Sequence, residues 1–61
     1  MIYDTVKLLA YKRGLTIADV ERRAKLSNGT IGGWKDGDPR LSSIKKVAKA
    51  LNVSAYTLIK D

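Results

Sequence analysis

The sequence predicts an all-α fold of five short helices, on three observations. Apolar residues recur at helical spacing, no stretch alternates apolar and polar as a half-buried strand does, and the breaks between stripes fall at glycine, serine, asparagine and proline. Sixty-one residues (6.7 kDa) make one small compact domain, 1–61. With no cysteine, its core rests on packing alone.

In the first segment Ile2, Val6, Leu9 and Ala10 form a helical stripe that closes at Arg13 and Gly14. The second opens at Thr16, a good N-cap residue, and carries Ile17, Val20 and Ala24 before stopping near Leu26. Ser27 caps the third, which holds Ile31 and Trp34 three apart and ends at Gly37, before Pro39. Gly29, Gly32 and Gly33 weaken that segment, each costing roughly 0.8–1 kcal/mol relative to alanine in a helix interior. It therefore depends on its neighbours to remain helical. The fourth segment takes Ser42 or Ser43 as cap and places Ile44, Val47, Ala48 and Leu51 on one face, with Lys45, Lys46 and Lys49 on the other. The fifth, 55–60, follows Ser54 as cap and offers Leu58 and Ile59 to the core.

Twelve Lys and Arg against six Asp and Glu give a net charge of +6 and a pI near 9.9, which favours polyanionic partners. Histidine and cysteine are both absent, which removes the commonest general base, the zinc ligands and the thiol nucleophile. The carboxylates lack metal-loop spacing, and Gly29-x-x-Gly32-Gly33 does not follow a strand as a phosphate loop would. The expectation is a protein that is no enzyme and takes no metal or small-molecule cofactor. No apolar run approaches the roughly 18 residues of a membrane span, the start lacks a signal peptide's pattern, and no helix joins a bulky aromatic face to a basic one. A cytoplasmic protein with no membrane partner is expected.

Two short helices joined by a tight turn suggest a helix-turn-helix at about 16–36. The string Arg13-Gly14-Leu15-Thr16, Ala24-Lys25-Leu26-Ser27-Asn28-Gly29-Thr30-Ile31 and Trp34-Lys35-x-Gly37-x-Pro39 is more specific. With Leu41-x-x-Ile44-x-x-Val47-Ala48-x-Ala50-Leu51-Asn52-Val53-Ser54, it resembles the Cro and phage-repressor family over essentially the whole chain. The Asn-Gly-Thr-Ile run and Glu21 resemble a subgroup of Gram-positive prophage regulators. The resemblance implies a lambda-repressor-like domain of five helices that lays the third in the major groove of double-stranded DNA. It also implies a homodimer on half-sites about one helical turn apart. The function it implies is a DNA-binding transcriptional regulator, with a repressor at a promoter operator as the leading form.

Three positions depart from the commonest pattern. Ile17 stands where many relatives carry a glutamine that supports phosphate contacts, Glu21 where a small residue is common, and Lys25 where glycine is common in the turn. Glu21 lies about 40° from Ile17 and about 60° from Ala24 on a helical wheel, so it falls on the buried stripe. A buried carboxylate needs donors, and the nearest free ones are the turn and the first amides of the third segment, around Ser27 to Thr30. Glu21 is therefore expected to cap that segment and set its angle.

Placing Ile31, Trp34 and Lys35 inward turns Gly29, Gly32, Gly33 and Asp36 outward, where relatives keep base-reading side chains. Trp34 then reads as a core anchor rather than a stacking platform, and Tyr3, Tyr11 and Tyr56 as partly buried packing residues. Asn28 and Thr30 are left to reach base edges, with the backbone of Gly29, Gly32 and Gly33 close to the groove floor. Phosphate contacts are expected from Thr16, Ile17, Ser27, Lys35, Arg40, Ser42, Ser43 and Lys45, with Lys46 farther out. Tyr56, Leu58 and Ile59 exceed what a short last helix must bury and are expected at a dimer interface. The bare glycine ridge and Asp36 support an alternative: a protein-interaction module of the same fold, antitoxin-like or an anti-regulator, with weak base readout.

Overall fold

The structure is a computed structural model and describes residues 1–60. Its elements are α1 (Ile2–Lys12), α2 (Ile17–Arg23), a 3-10 turn (Gly32–Lys35), α3 (Leu41–Ala50) and α4 (Ala55–Ile59). The fold is all-α, with four helices and one 3-10 turn in place of the five helices expected. α1 packs against α2, α4 and the 3-10 turn, while α3 bridges α2 and α4. The side chains of Val6, Val20, Ile31, Val47, Leu51 and Leu58 are fully buried where these elements meet. No helix of the described residues is long and apolar enough to cross a membrane.

Three of the helices stop in the same way. Leu15, Leu26 and Val53 donate their amides back to the carbonyls of Ala10, Glu21 and Ala48 at 2.8–2.9 Å. The residue before each closes a tighter bond at 3.0–3.1 Å, to Tyr11, Arg22 and Lys49. This double closure needs a left-handed residue at its centre, and Gly14, Lys25 and Asn52 supply it at φ of 71°, 59° and 58°. Each apolar residue that follows packs against the core. Lys25 thus fills a position whose backbone favours glycine, which accounts for the glycine common there in the resembled family.

The third predicted helix does not form. Gly29 has a φ of +91°, which breaks helical geometry one turn early. An α-helix capped at Ser27 would give the Ile31 amide to the Ser27 carbonyl. Instead Ile31 donates to the Glu21 carboxylate, and the Ser27 carbonyl receives Thr30 in a tighter i to i−3 bond at 3.1 Å. The chain then continues as a 3-10 turn, whose three-residue repeat eclipses Ile31 and Trp34. Both are buried. The same repeat turns Lys35 outward, so the inward place expected for it from α-helical spacing is corrected.

Other expectations shift as well. α3 begins at Leu41 with Arg40 as N-cap and no side-chain cap bond, so Ser42 and Ser43 lie inside its first turn. Tyr11 and Tyr56 are exposed rather than partly buried, while Tyr3 does pack against the core. Ile59 points out and leaves Leu58 as the core residue of α4. Burying that leucine stabilises the fold by about 2 kcal/mol.

Candidate nucleic-acid interface

The helix-turn-helix spans α2, the turn at Lys25 and the 28–35 segment. Its first half is set by a capping box. The Asp19 amide donates to Thr16 Oγ1 at 3.0 Å, and the Thr16 amide donates to Asp19 Oδ2 at 2.9 Å. The bond from the Thr16 backbone, then the bond from its hydroxyl, holds the Asp19 carboxyl below the ordinary aspartate value of 3.8, and the Arg22 guanidinium adds to the effect. The N-terminus of α2 therefore already carries an anion, and the Thr16 amide expected at a phosphate is occupied. Ile17 is half-buried and packs against the core.

The second half is positioned by Glu21. Its side chain is 3% exposed, and its two oxygens receive separate amides, Gly29 at 3.2 Å and Ile31 at 2.8 Å. A carboxylate from α2 thus fastens the 28–35 segment at two points, while Ile31 and Trp34 anchor it from below. Asn28, Gly29 and Gly33 are exposed, Thr30 and Gly32 half-exposed. A Cβ placed on Gly29, Gly32 or Gly33 would meet no atom within 4 Å, so the outward face is a bare backbone ridge flanked by Asn28 and Thr30. Asp36, also exposed, lies just beyond it.

That ridge yields a test of opposite signs. Gly33→Ala is expected to raise the melting temperature by about 2–5 °C, because alanine fits there and restricts the unfolded chain by about 0.4–1 kcal/mol. Gly29→Ala is expected to lower it by roughly 5–10 °C through about 1–2 kcal/mol of left-handed strain. Thermal melts followed by circular dichroism measure both, and a fall for Gly33→Ala would contradict an open ridge.

The N-terminus of α3 contrasts with that of α2. Its first backbone bond is Ile44 to Arg40 at 3.0 Å, which leaves the preceding amides of the turn without helical acceptors. There is no acidic residue in that first turn. A groove alongside is lined by the polar residues Lys25, Ser27, Thr30, Asp38, Arg40, Ser43 and Lys46, one acid among three cations. Ser42 and Lys45 are exposed on the same first turns. Lys35 lies elsewhere: its Nζ sits 5.0 Å from the centre of the Tyr3 ring on α1. Leu58, expected at an interface, is 1% exposed and unavailable to a partner, whereas Tyr56 and Ile59 are open. Sequence reasoning also missed Lys25 as a groove residue; its only signal was its place in the turn.

The profile of the helix-turn-helix family matches residues 7–58. No curated protein is matched by the sequence. Two solved structures are similar to this chain. One is a hypothetical transcription factor from Neisseria, with a TM-score of 0.88 and 26% identity over 97% of this chain and 70% of that one. The other is the prophage Lp1 protein 11, with a TM-score of 0.82 and 24% identity over 98% of this chain and 83% of that one, a likeness of fold alone.

Proposed function

This chain belongs to the helix-turn-helix family, of the Cro and phage-repressor type, and on that premise we propose that it is a repressor occupying a promoter operator. The family is one of non-enzymatic DNA-binding domains that serve transcription regulation. The observation that carries the finer reading is the 28–35 segment. It is fastened by Glu21 and anchored by Ile31 and Trp34, and it presents an open ridge that a major groove can receive.

Affinity then comes mainly from phosphates and sequence preference from few side chains. Asn28 suits adenine through paired hydrogen bonds, and Thr30 offers a hydroxyl or a methyl contact to thymine. With no side chains on Gly29, Gly32 and Gly33, the backbone comes close to the base edges. Phosphate binding centres on α3, whose uncapped first turn and flanking Arg40, Ser42, Ser43 and Lys45 form an anion site, while the start of α2 is blocked by Asp19. Ser27 contributes from the groove wall. Two copies meet through the exposed Tyr56 and Ile59 and read two half-sites. Operator occupancy of this kind excludes polymerase.

Selection of bound fragments from random duplex DNA tests the reading. The expected result is enrichment of paired half-sites spaced about one helical turn apart, with few specified positions in each. No enrichment at low salt, together with capture of a specific protein, would instead favour an interaction module built on the same fold. The exposed Asp36 beside the ridge suits that second reading, since a carboxylate there repels phosphates.

A further inference from the structure

The outer face of α1 takes no part in the core or in the DNA-facing surface. Asp4, Lys7, Leu8 and Tyr11 line one shallow concavity there. Leu8 is 53% exposed and Tyr11 80% exposed, on a helix that already buries Val6 and Ala10 on its other side. Asp4 has the amino group of Met1 at 3.9 Å as its ionic neighbour, and Lys12 has no ion-pair partner among the described residues.

The order of these residues is self-complementary. Asp4, Leu8 and Lys12 form one i, i+4, i+8 ridge, with opposite charges each about 6 Å along the axis from the central leucine. When two such helices cross antiparallel about a two-fold axis at Leu8, Asp4 of each copy faces Lys12 of the other. Leu8 meets Leu8. A parallel pairing sets Asp4 against Asp4 and Lys12 against Lys12, which is repulsive. Asp4 and Lys12 therefore set the direction of pairing, while Lys7, in the same concavity, adds a positive charge to each side of the contact.

We propose that the outer face of α1 is a self-association surface on which a second copy of this chain docks antiparallel across Leu8. An eleven-residue helix with one leucine and one tyrosine buries less than the roughly 1,200 Å² of a stable interface. Two chains of net charge +6 also repel. The contact is consequently weak in free solution, with dissociation in the millimolar range. It matters where copies are held together, as neighbours on one polyanion, where the local concentration is of that order.

The test uses the free protein and so is independent of DNA binding, and failure here leaves the repressor reading standing. Amide spectra are recorded by NMR over a concentration series at about 0.15 M salt. The wild type is expected to show concentration-dependent shifts centred on Leu8 and Tyr11, abolished by Leu8→Glu. Lys12→Asp and Asp4→Lys are each expected to weaken association at least about fivefold, and the double variant to restore it. All these positions are exposed, and unchanged melting temperatures verify folding. Shifts confined to Tyr56 and Ile59, no concentration dependence at all, or a double variant no better than the singles would each overturn the proposal.

Discussion

Glu21→Gln is expected to lower the melting temperature by roughly 10 °C, the largest effect of any single isosteric change in this chain. The carboxylate offers one oxygen to Gly29 and the other to Ile31. Glutamine keeps a single oxygen and must point its NH₂ group at the second amide, donor against donor. Losing a charge-assisted bond and stranding a buried amide costs about 2 kcal/mol. A domain of this size shifts by about 4–8 °C for each kcal/mol. Glu21→Ala strands both amides and costs about 3 kcal/mol, most of what a core this small supplies. The two substitutions should therefore rank in that order in thermal melts. Because the 28–35 segment loses its fastening, DNA affinity should fall at least about tenfold with either, or about 1.4 kcal/mol of binding. Melting within about 2 °C of wild type for Glu21→Gln would show that the two amides find other acceptors.

DNA affinity should fall by about three orders of magnitude between 50 and 200 mM salt, the second large effect. On the proposed reading, about three cations of each protomer meet the phosphates around the start of α3, with Arg40 the first of them, so a dimer would displace about six counterions and give a slope of log affinity against log salt of about −5. Arg40→Ala should lower affinity at low salt and make the slope shallower by about 2 for a dimer, or about 1 for a single bound copy. Fluorescence anisotropy with a labelled duplex across a salt series measures both. A slope near zero, or one unchanged by Arg40→Ala, would exclude phosphate gripping at α3. The Gly33→Ala variant adds a contrast. Its melting temperature should rise while its affinity drops several-fold, because the added methyl holds the ridge away from the groove floor.

The helices that residue patterns reveal most plainly are those whose stabilising contacts are local. α1 and α3 show long apolar stripes, and Gly14, Asn52, Thr16 and Ser54 are residue types suited to the turns and caps they form. The wheel also puts Glu21 among the buried positions, because burial of a helix face follows from periodicity. Which amides that carboxylate receives does not. Gly29 and Ile31 are eight and ten residues away, and they come within reach only after Lys25 adopts a left-handed turn that its residue type does not announce.

The all-α class, the order of the segments, the excess of positive charge and the family resemblance are all carried by residue type and spacing. The form of the 28–35 segment is not. Ile31 has two candidate acceptors, the Ser27 carbonyl and the Glu21 carboxylate, and the charged one wins only once α2 and the turn bring it close. With that amide diverted and three glycines offering little resistance, the segment tightens into a 3-10 turn and Lys35 swings outward. Ile59, offered to the core beside Leu58, stays outside for a similar reason: α4 packs against α1 and α3 through Leu58, and the contact is settled by neighbours far away in the chain. Periodicity reports which face is buried, whereas competition between acceptors and the geometry of packing arise only when distant segments meet.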